Sequence, residues 1–327
     1  MIEEISANLY KIEIPLPENP LKTLNSYVIK ASGGNLIIDT GMNREECMTA
    51  MQAGLKTLEI DLRKTDFFIT HMHVDHLGLV SNLATDTSII YFNQPDFDWI
   101  KSGSQWDDLI NFARLNNFPE DMLQVVLCNH PFYKYGPKGQ LDFDILKDDC
   151  TISIGDYLFK CVETPGHTRG HMCLYEPNKK LLVSGDHILS NITSNIQLWS
   201  NKWNPLNEYL ASLDKVYELD IKLVMPGHRD MFSNCKVRIQ ELKHHHKERV
   251  NEVLSVLGKA SMSAFQVASR LNWNVAYDSW DLFPILQKWF ATGETIAHLK
   301  YLTEKGMVRR EMEGPKILFS LNVNSAI

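Results

Sequence analysis

The sequence has no apolar run approaching the ~20 residues that a membrane-spanning helix needs, so no membrane partner is expected. Its opening, MIEEISANLYKIEIPLPENP, carries acids early and no long apolar stretch, which does not fit a secretory signal peptide. Cysteine is sparse, with six in 327 residues (Cys47, Cys128, Cys150, Cys161, Cys173 and Cys235) and no CxxC pair. That spacing argues against a disulfide framework or a thiolate metal site and suits a reduced, cytoplasmic setting. Internal repeats and low-complexity tracts are missing too. Nor is there an excess of positive charge. The formal net charge of −7 disfavours non-specific binding to nucleic acid or to an anionic surface.

What is present is an ordinary globular balance, 44% hydrophobic and 22% charged, in a chain long enough for about two domains. Four short apolar runs read as buried strands: NLIIDTG (35–41), DFFITHMHVDH (66–76), LLVSGDH (181–187) and IKLVMPGH (221–228). Helical spacing appears between them at 44–58 and 206–219. Buried strands alternating with helices predict a layered α/β domain.

Residues able to bind metal recur just past these strand ends. His71, His73, Asp75 and His76 come first, then His167 in TPGHTRGH, Asp186 and His228. Imidazole and carboxylate without thiolate suit zinc, iron or manganese. Two such ions close together need an anion between them, and a bridging aspartate supplies one. Bound ions also lower the pKa of water and polarise a carbonyl or phosphoryl oxygen. His130, His187 and His298 read as ordinary surface or hydrogen-bonded histidines, while His171 is left open because it lies close to His167. The HHH run at 244–246 lies in a charged helical stretch and reads as a solvated helix face.

THMHVDHLG resembles the HxHxDH signature of the metallo-β-lactamase superfamily. LIIDTG, TPGHTRGH, LLVSGDH and VMPGH follow that superfamily's order over roughly residues 5–235. The resemblance implies a four-layer αββα sandwich with two divalent metal ions at one edge, zinc foremost, with iron or manganese as alternatives. It implies that His71, His73 and His167 hold the first ion and that Asp75, His76 and His228 hold the second, with Asp186 bridging. It makes Asp75 catalytic, orienting the attacking hydroxide, and has Asp39 support the metal loops without touching the ions. An acid at position 186 resembles the glyoxalase II, lactonase and ribonuclease branches rather than the β-lactamases.

The expected organisation is a catalytic domain at 1–235, a linking helix at 236–258 and a winged-helix-like domain at 259–327. An aromatic-rich helical insert at about 91–140 is expected to form either a lid over an apolar pocket or packing for the sandwich. Within the tail, Ser263 is expected to cap a helix over 264–271, a second helix covers 294–306, and a hairpin turns at Glu313–Gly314–Pro315. Residues 250–327 hold eight Lys/Arg against seven Asp/Glu, too balanced for a typical DNA-binding surface. The expected function is metal-dependent hydrolysis of a small ester, thioester or lactone by attack of metal-bound hydroxide. A metal-dependent endoribonuclease with a nucleic-acid-binding tail is the alternative. A regulator with a structural metal ranks last, because structural sites are usually closed four-ligand sets. A homodimer is the default assembly.

Overall fold

The computed structural model describes residues 1–102, 105–139, 141–258, 260–273 and 277–322. The segment limits placed at 140, 259 and 327 from sequence lie outside the described residues. The chain divides into two compact units. The first comprises Met1–Lys101, Pro131–Ser194 and Ser212–Ile239; the second comprises Ser102–His130, Asn195–Ala211 and Gln240–Ile327.

The first unit is an α/β sandwich. One sheet runs in chain order through β1 (Ile2–Ser6), β2 (Leu9–Pro15), β3 (Thr23–Ala31), β4 (Gly34–Ile38), β5 (Thr65–Phe68), β6 (Ile90–Asn93) and β7 (Asp144–Leu146). The other holds β8 (Thr151–Ile154), β9 (Tyr157–Glu163), β10 (Met172–Glu176), β11 (Leu181–Gly185) and β12 (Leu223–Pro226), in the order β12-β11-β10-β9-β8. β4, β5, β6 and β7 pair in parallel, and so do β11 and β12; the remaining neighbours are antiparallel.

The alternating pattern of these strands explains the layering. Tyr27, Ile29, Leu36, Ile38 and Phe68 of the first sheet share a buried cluster with Phe159, Met172, Leu174, Val183 and Met225 of the second. Ile12, Ile14, Val28, Ile37 and Phe67 face the other way and pack with Cys47, Met51 and Leu55 of the helix Glu45–Thr57. Gly54 lets that helix approach closely, since a Cβ there would lie 2.7 Å from Ile12 Cδ1. The second sheet is covered on its outer face as well. Every residue of β10 and β11 is buried, and Ser212 of the helix Pro205–Tyr217 donates to the Pro165 carbonyl at 2.8 Å. The four-layer αββα fold follows.

The second unit is built around Trp289. Its ring stacks on Trp199 with centroids 3.6 Å apart and meets Phe118 edge-on at 5.3 Å. Ile110, Ala113, Leu123 and Val126 from the helices Gln105–Leu115 and Glu120–Asn129 complete this cluster. The insert therefore divides: Phe97, Phe132 and Tyr135 join the first unit's core, while residues 102–130 belong with the C-terminal segments. The linking helix is Cys235–Leu257, and from Gln240 onward it too belongs to the second unit. Among its described residues the tail has a helix Ala264–Ala268, a helix Ile285–Glu304 and the hairpin β13 (Val308–Glu313) to β14 (Lys316–Leu321). Ser263 caps the first of these helices through a reciprocal capping box with Gln266.

Two sequence expectations change here. The long helix starts at Ile285 rather than at 294 and runs through Gly293. It makes room for an indole: a Cβ there would lie 2.8 Å from Trp199 Nε1. The HHH run is not wholly solvated. His246 shares the inward helix face with Leu242 and Val253 and is 2% exposed, while His244 is exposed. His246 Nδ1 lies 3.3 Å from Nε2 of buried His298.

Trp289→Ala is expected to destabilise the second unit by about 3–5 kcal/mol. Limited proteolysis checks the grouping: cleavage within 105–129 and within 285–304 should rise together while 65–77 stays protected. Burial depresses His298 to about 4 and His246 well below its ordinary value. The unfolded chain then binds more protons below pH ~6.5, so this contribution is present above that pH and is lost on acidification toward 4. A His246→Gln/His298→Gln protein should show a flatter fall of melting temperature between pH 6.5 and 4.5 than the parent.

Candidate metal centre

The strands deliver their ligands to one edge because of how they pair. Parallel β4 and β5 end side by side at Ile38 and Phe68, and parallel β11 and β12 end together at Gly185 and Pro226. The antiparallel turn from β9 to β10 carries residues 164–171 to that edge. The expected strand 66–76 stops at Phe68. His71 follows in a loop, and His73 is the N-cap of a one-turn helix, Val74–Leu77, that carries Asp75 and His76.

All seven sequence-predicted ligands come together. The ligand atoms of His71, His73 and His167 form one group, those of Asp75, His76 and His228 another, and those of His71, His76 and Asp186 a third, each within 4.8 Å. His73 Nδ1 lies 3.0 Å from His71 Nε2 and 2.9 Å from His167 Nε2. Asp186 reaches both sets: Oδ1 is 3.5 Å from Nε2 of His76 and of His228, and Oδ2 is 3.6 Å from His167 Nε2. His228 Nε2 is also 3.4 Å from Asp75 Oδ2.

The outer ring nitrogens are spoken for, which sets the tautomers. His76 Nδ1–H donates to Asp39 Oδ2 at 2.7 Å, and His228 Nδ1–H donates to the Thr23 carbonyl at 2.7 Å. His71 Nδ1–H donates to Thr70 Oγ1, which itself donates to Asp39. The Nε2 atoms of all three therefore point inward. His76 Nε2, His228 Nε2 and Asp186 Oδ1 are buried and have no hydrogen-bond partner. Orphaned inward lone pairs facing a carboxylate oxygen fit divalent cations.

The electrostatics point the same way. Burial, reinforced by the neighbouring histidines, drives His71 well below its ordinary pKa, and burial brings His73 to about 3. Burial would lower His76 as well, but the Asp39 and Asp186 carboxylates outweigh it and hold that ring well above its usual value. Asp186 is pulled well below the carboxylate range, against its burial, by His228 and His76. Asp75 is lowered in the same way, by the His228 ring 3.4 Å away and the charge of His76.

Three supporting residues escaped the sequence reading. Thr70 relays between Asp39 and His71. His171, left open before, accepts the Asp186 backbone N–H through Nε2 at 3.1 Å and donates from Nδ1 to Thr164 at 2.8 Å, so it fixes the Asp186 backbone. Only its proximity to His167 hinted at this. Asp96 is the third. His130, His187 and His298 belong to none of the ligand groups found among the described residues. Asp39, sited as expected behind His76, has the positive φ of 58° that lets its side chain turn back onto Thr70. Asp39→Asn is expected to free the His76 ring and weaken metal binding by about 10–100-fold, measured by competition with a chromophoric chelator.

Comparison with known proteins agrees with this geometry. Residues 22–228 match the Metallo-beta-lactamase superfamily, and residues 280–318 match a metallo-beta-lactamase-like C-terminal domain. The chain is 26% identical over 312 residues to a probable metallo-hydrolase of Bacillus subtilis, YqjP, covering 90% of this chain and 92% of that one. It is 24% identical over 240 residues to an atrochrysone carboxyl ACP thioesterase of Aspergillus fumigatus, covering 72% of this chain and 60% of the relative. In fold it is similar to a metallo-beta-lactamase family protein of Thermus thermophilus, with a TM-score of 0.82 and 24% identity over 97% of this chain and 100% of that one. The superfamily match contains every one of the clustered histidines and aspartates at the sandwich edge, and it spans more than half of the sequence: the chain belongs to the metallo-beta-lactamase superfamily.

Proposed function

We propose that this hydrolase uses two divalent ions to cleave a small carbonyl ester, thioester or lactone. The observation that carries the reading is Asp186, whose two oxygens reach toward separate ligand sets, as a bridging carboxylate must. His71, His73 and His167 would hold one ion and Asp75, His76 and His228 the other, with zinc as the first expectation. When bound, such ions supply a water of lowered pKa and a Lewis acid for the carbonyl oxygen.

The chain's own residues do the rest. Asp75, held ionised by His228 and His76, would accept a hydrogen bond from the attacking water and orient it. Asp39 and the Thr23 carbonyl keep His76 and His228 in the tautomers that face inward. His171 fixes the Asp186 backbone from which the carboxylate projects.

The thioesterase among the relatives supports an acyl substrate. The tail supports it too, if read as winged-helix-like. Its hairpin sets Arg309, Arg310 and Lys316 beside Glu311 and Glu313, a mixed surface rather than a basic one. No described helix is long and apolar enough to cross a membrane, and all six cysteines are free thiols, which favours a reducing compartment.

Turnover of metal-loaded protein should be measured on S-lactoylglutathione, acyl homoserine lactones, p-nitrophenyl acetate, bis-p-nitrophenyl phosphate and single-stranded RNA. Asp186→Ala serves as the control. The expected result is hydrolysis of a carbonyl substrate that falls at least about 100-fold in the variant. Cleavage of RNA alone would replace this reading with the endoribonuclease.

A further inference from the structure

Asp96 is a buried acid that no step above uses. It is 1% exposed and lies in the first turn of the helix Gln94–Ser102, which begins directly after β6. Its Oδ2 accepts the Met72 backbone N–H at 3.0 Å and the Thr168 hydroxyl at 2.8 Å. Its Oδ1 accepts the Gly170 backbone N–H at 2.7 Å. Met72 sits between His71 and His73, and Thr168 follows His167. One carboxylate on a third element thus grips both loops that carry the three-histidine group.

The seat is close-fitting. A Cβ on Gly170 would lie 2.6 Å from Asp96 Cγ and 2.7 Å from Asp96 N, so the loop rests directly on the helix start. Burial pushes the Asp96 acid up to about 6 against the pull of its three donors, so at neutral pH it is largely ionised and can only accept. Three donors suit that state. Hydrogen bonds to an ionised acceptor are about twice as strong as neutral ones. They converge where it matters, since ligand geometry has to be held to within about 0.5 Å.

We propose that Asp96 is a positioning residue that sets the three-histidine site by tying the 71–73 loop to the 167–170 loop. Whereas Asp39 bonds the His76 ring itself, Asp96 acts on His71, His73 and His167 through their neighbours in the two loops. The assignment rests on the two-metal reading.

The test uses the His228→Ala protein as parent, which disables the second ligand set and leaves the three-histidine set intact. Asp96→Asn in that parent keeps shape and volume, but whichever way the amide turns, its NH2 faces a backbone N–H. The readouts are the Kd for zinc by competition with a chromophoric chelator and the absorption spectrum of the cobalt(II)-substituted protein. Asp96→Asn is expected to raise the Kd about 10–100-fold and to shift the cobalt bands. Thr168→Val, which removes only one of the three bonds, should move both in the same direction by less, and it keeps the question open to test if Asp96→Asn does not fold. Asn35→Ala removes a buried bond to Thr65 elsewhere in the sheet and should lower the melting temperature without moving either readout. A lower melting temperature with unchanged Kd and cobalt bands in Asp96→Asn, or in Thr168→Val where that is the variant that folds, would overturn the assignment. A parent that binds no ion would overturn the two-metal reading and this assignment with it.

Discussion

Parallel pairing at two places governs this protein. Because β4 lies parallel to β5 and β11 parallel to β12, the chain leaves four strands at the same edge. Asp39, His71, Asp186 and His228 are each within a few residues of one of those exits. An antiparallel arrangement would have sent half of them to opposite ends of the sandwich. Ligands far apart in sequence become neighbours through sheet register alone, and the apolar cores on either face hold that register.

Bringing so many titratable groups together is unfavourable until something answers their charge. The site divides them into two electrostatic classes. His71 and His73 are held neutral by burial, while His76 and His228 are drawn toward the charged state by Asp39, Asp75 and Asp186. A cation entering the first group meets rings that burial keeps neutral. One entering the second must displace protons that the carboxylates have attracted, so occupancy of that group is linked to pH with affinity rising as pH rises.

The clustered histidines and aspartates were legible because each is local, just past a short apolar run, and their grouping into two candidate ligand sets came from the family resemblance. The residues that orient them were not. Thr70 reads as an ordinary strand-end threonine and Asp96 as one acid among several in a polar helix; only through-space neighbours give them a role. The same limit hid the composition of the second unit. The apolar faces of 105–115 and 120–129 show two amphipathic helices, but nothing in them says that their partner is Trp289. The start of the long helix was hidden too, since residues 285–293 take their place in it against Trp199, a contact that only the folded chain shows. His246 was misread because charged neighbours masked the inward face it shares with Leu242.

The second unit is assembled from three separated stretches of chain, and this bears on how the protein is made. Synthesis proceeds from the N-terminus, so the helices Gln105–Leu115 and Glu120–Asn129 leave the ribosome well before the helix Ile285–Glu304 exists. Ile110, Leu123 and Val126 then have no Trp289 to cover them. The sandwich, complete once β12 has emerged, can close early; the second unit waits for the last stretch of chain. Closure across so long a separation is intrinsically slow. During that interval the nascent chain carries an uncovered apolar surface, the kind of exposure that favours aggregation.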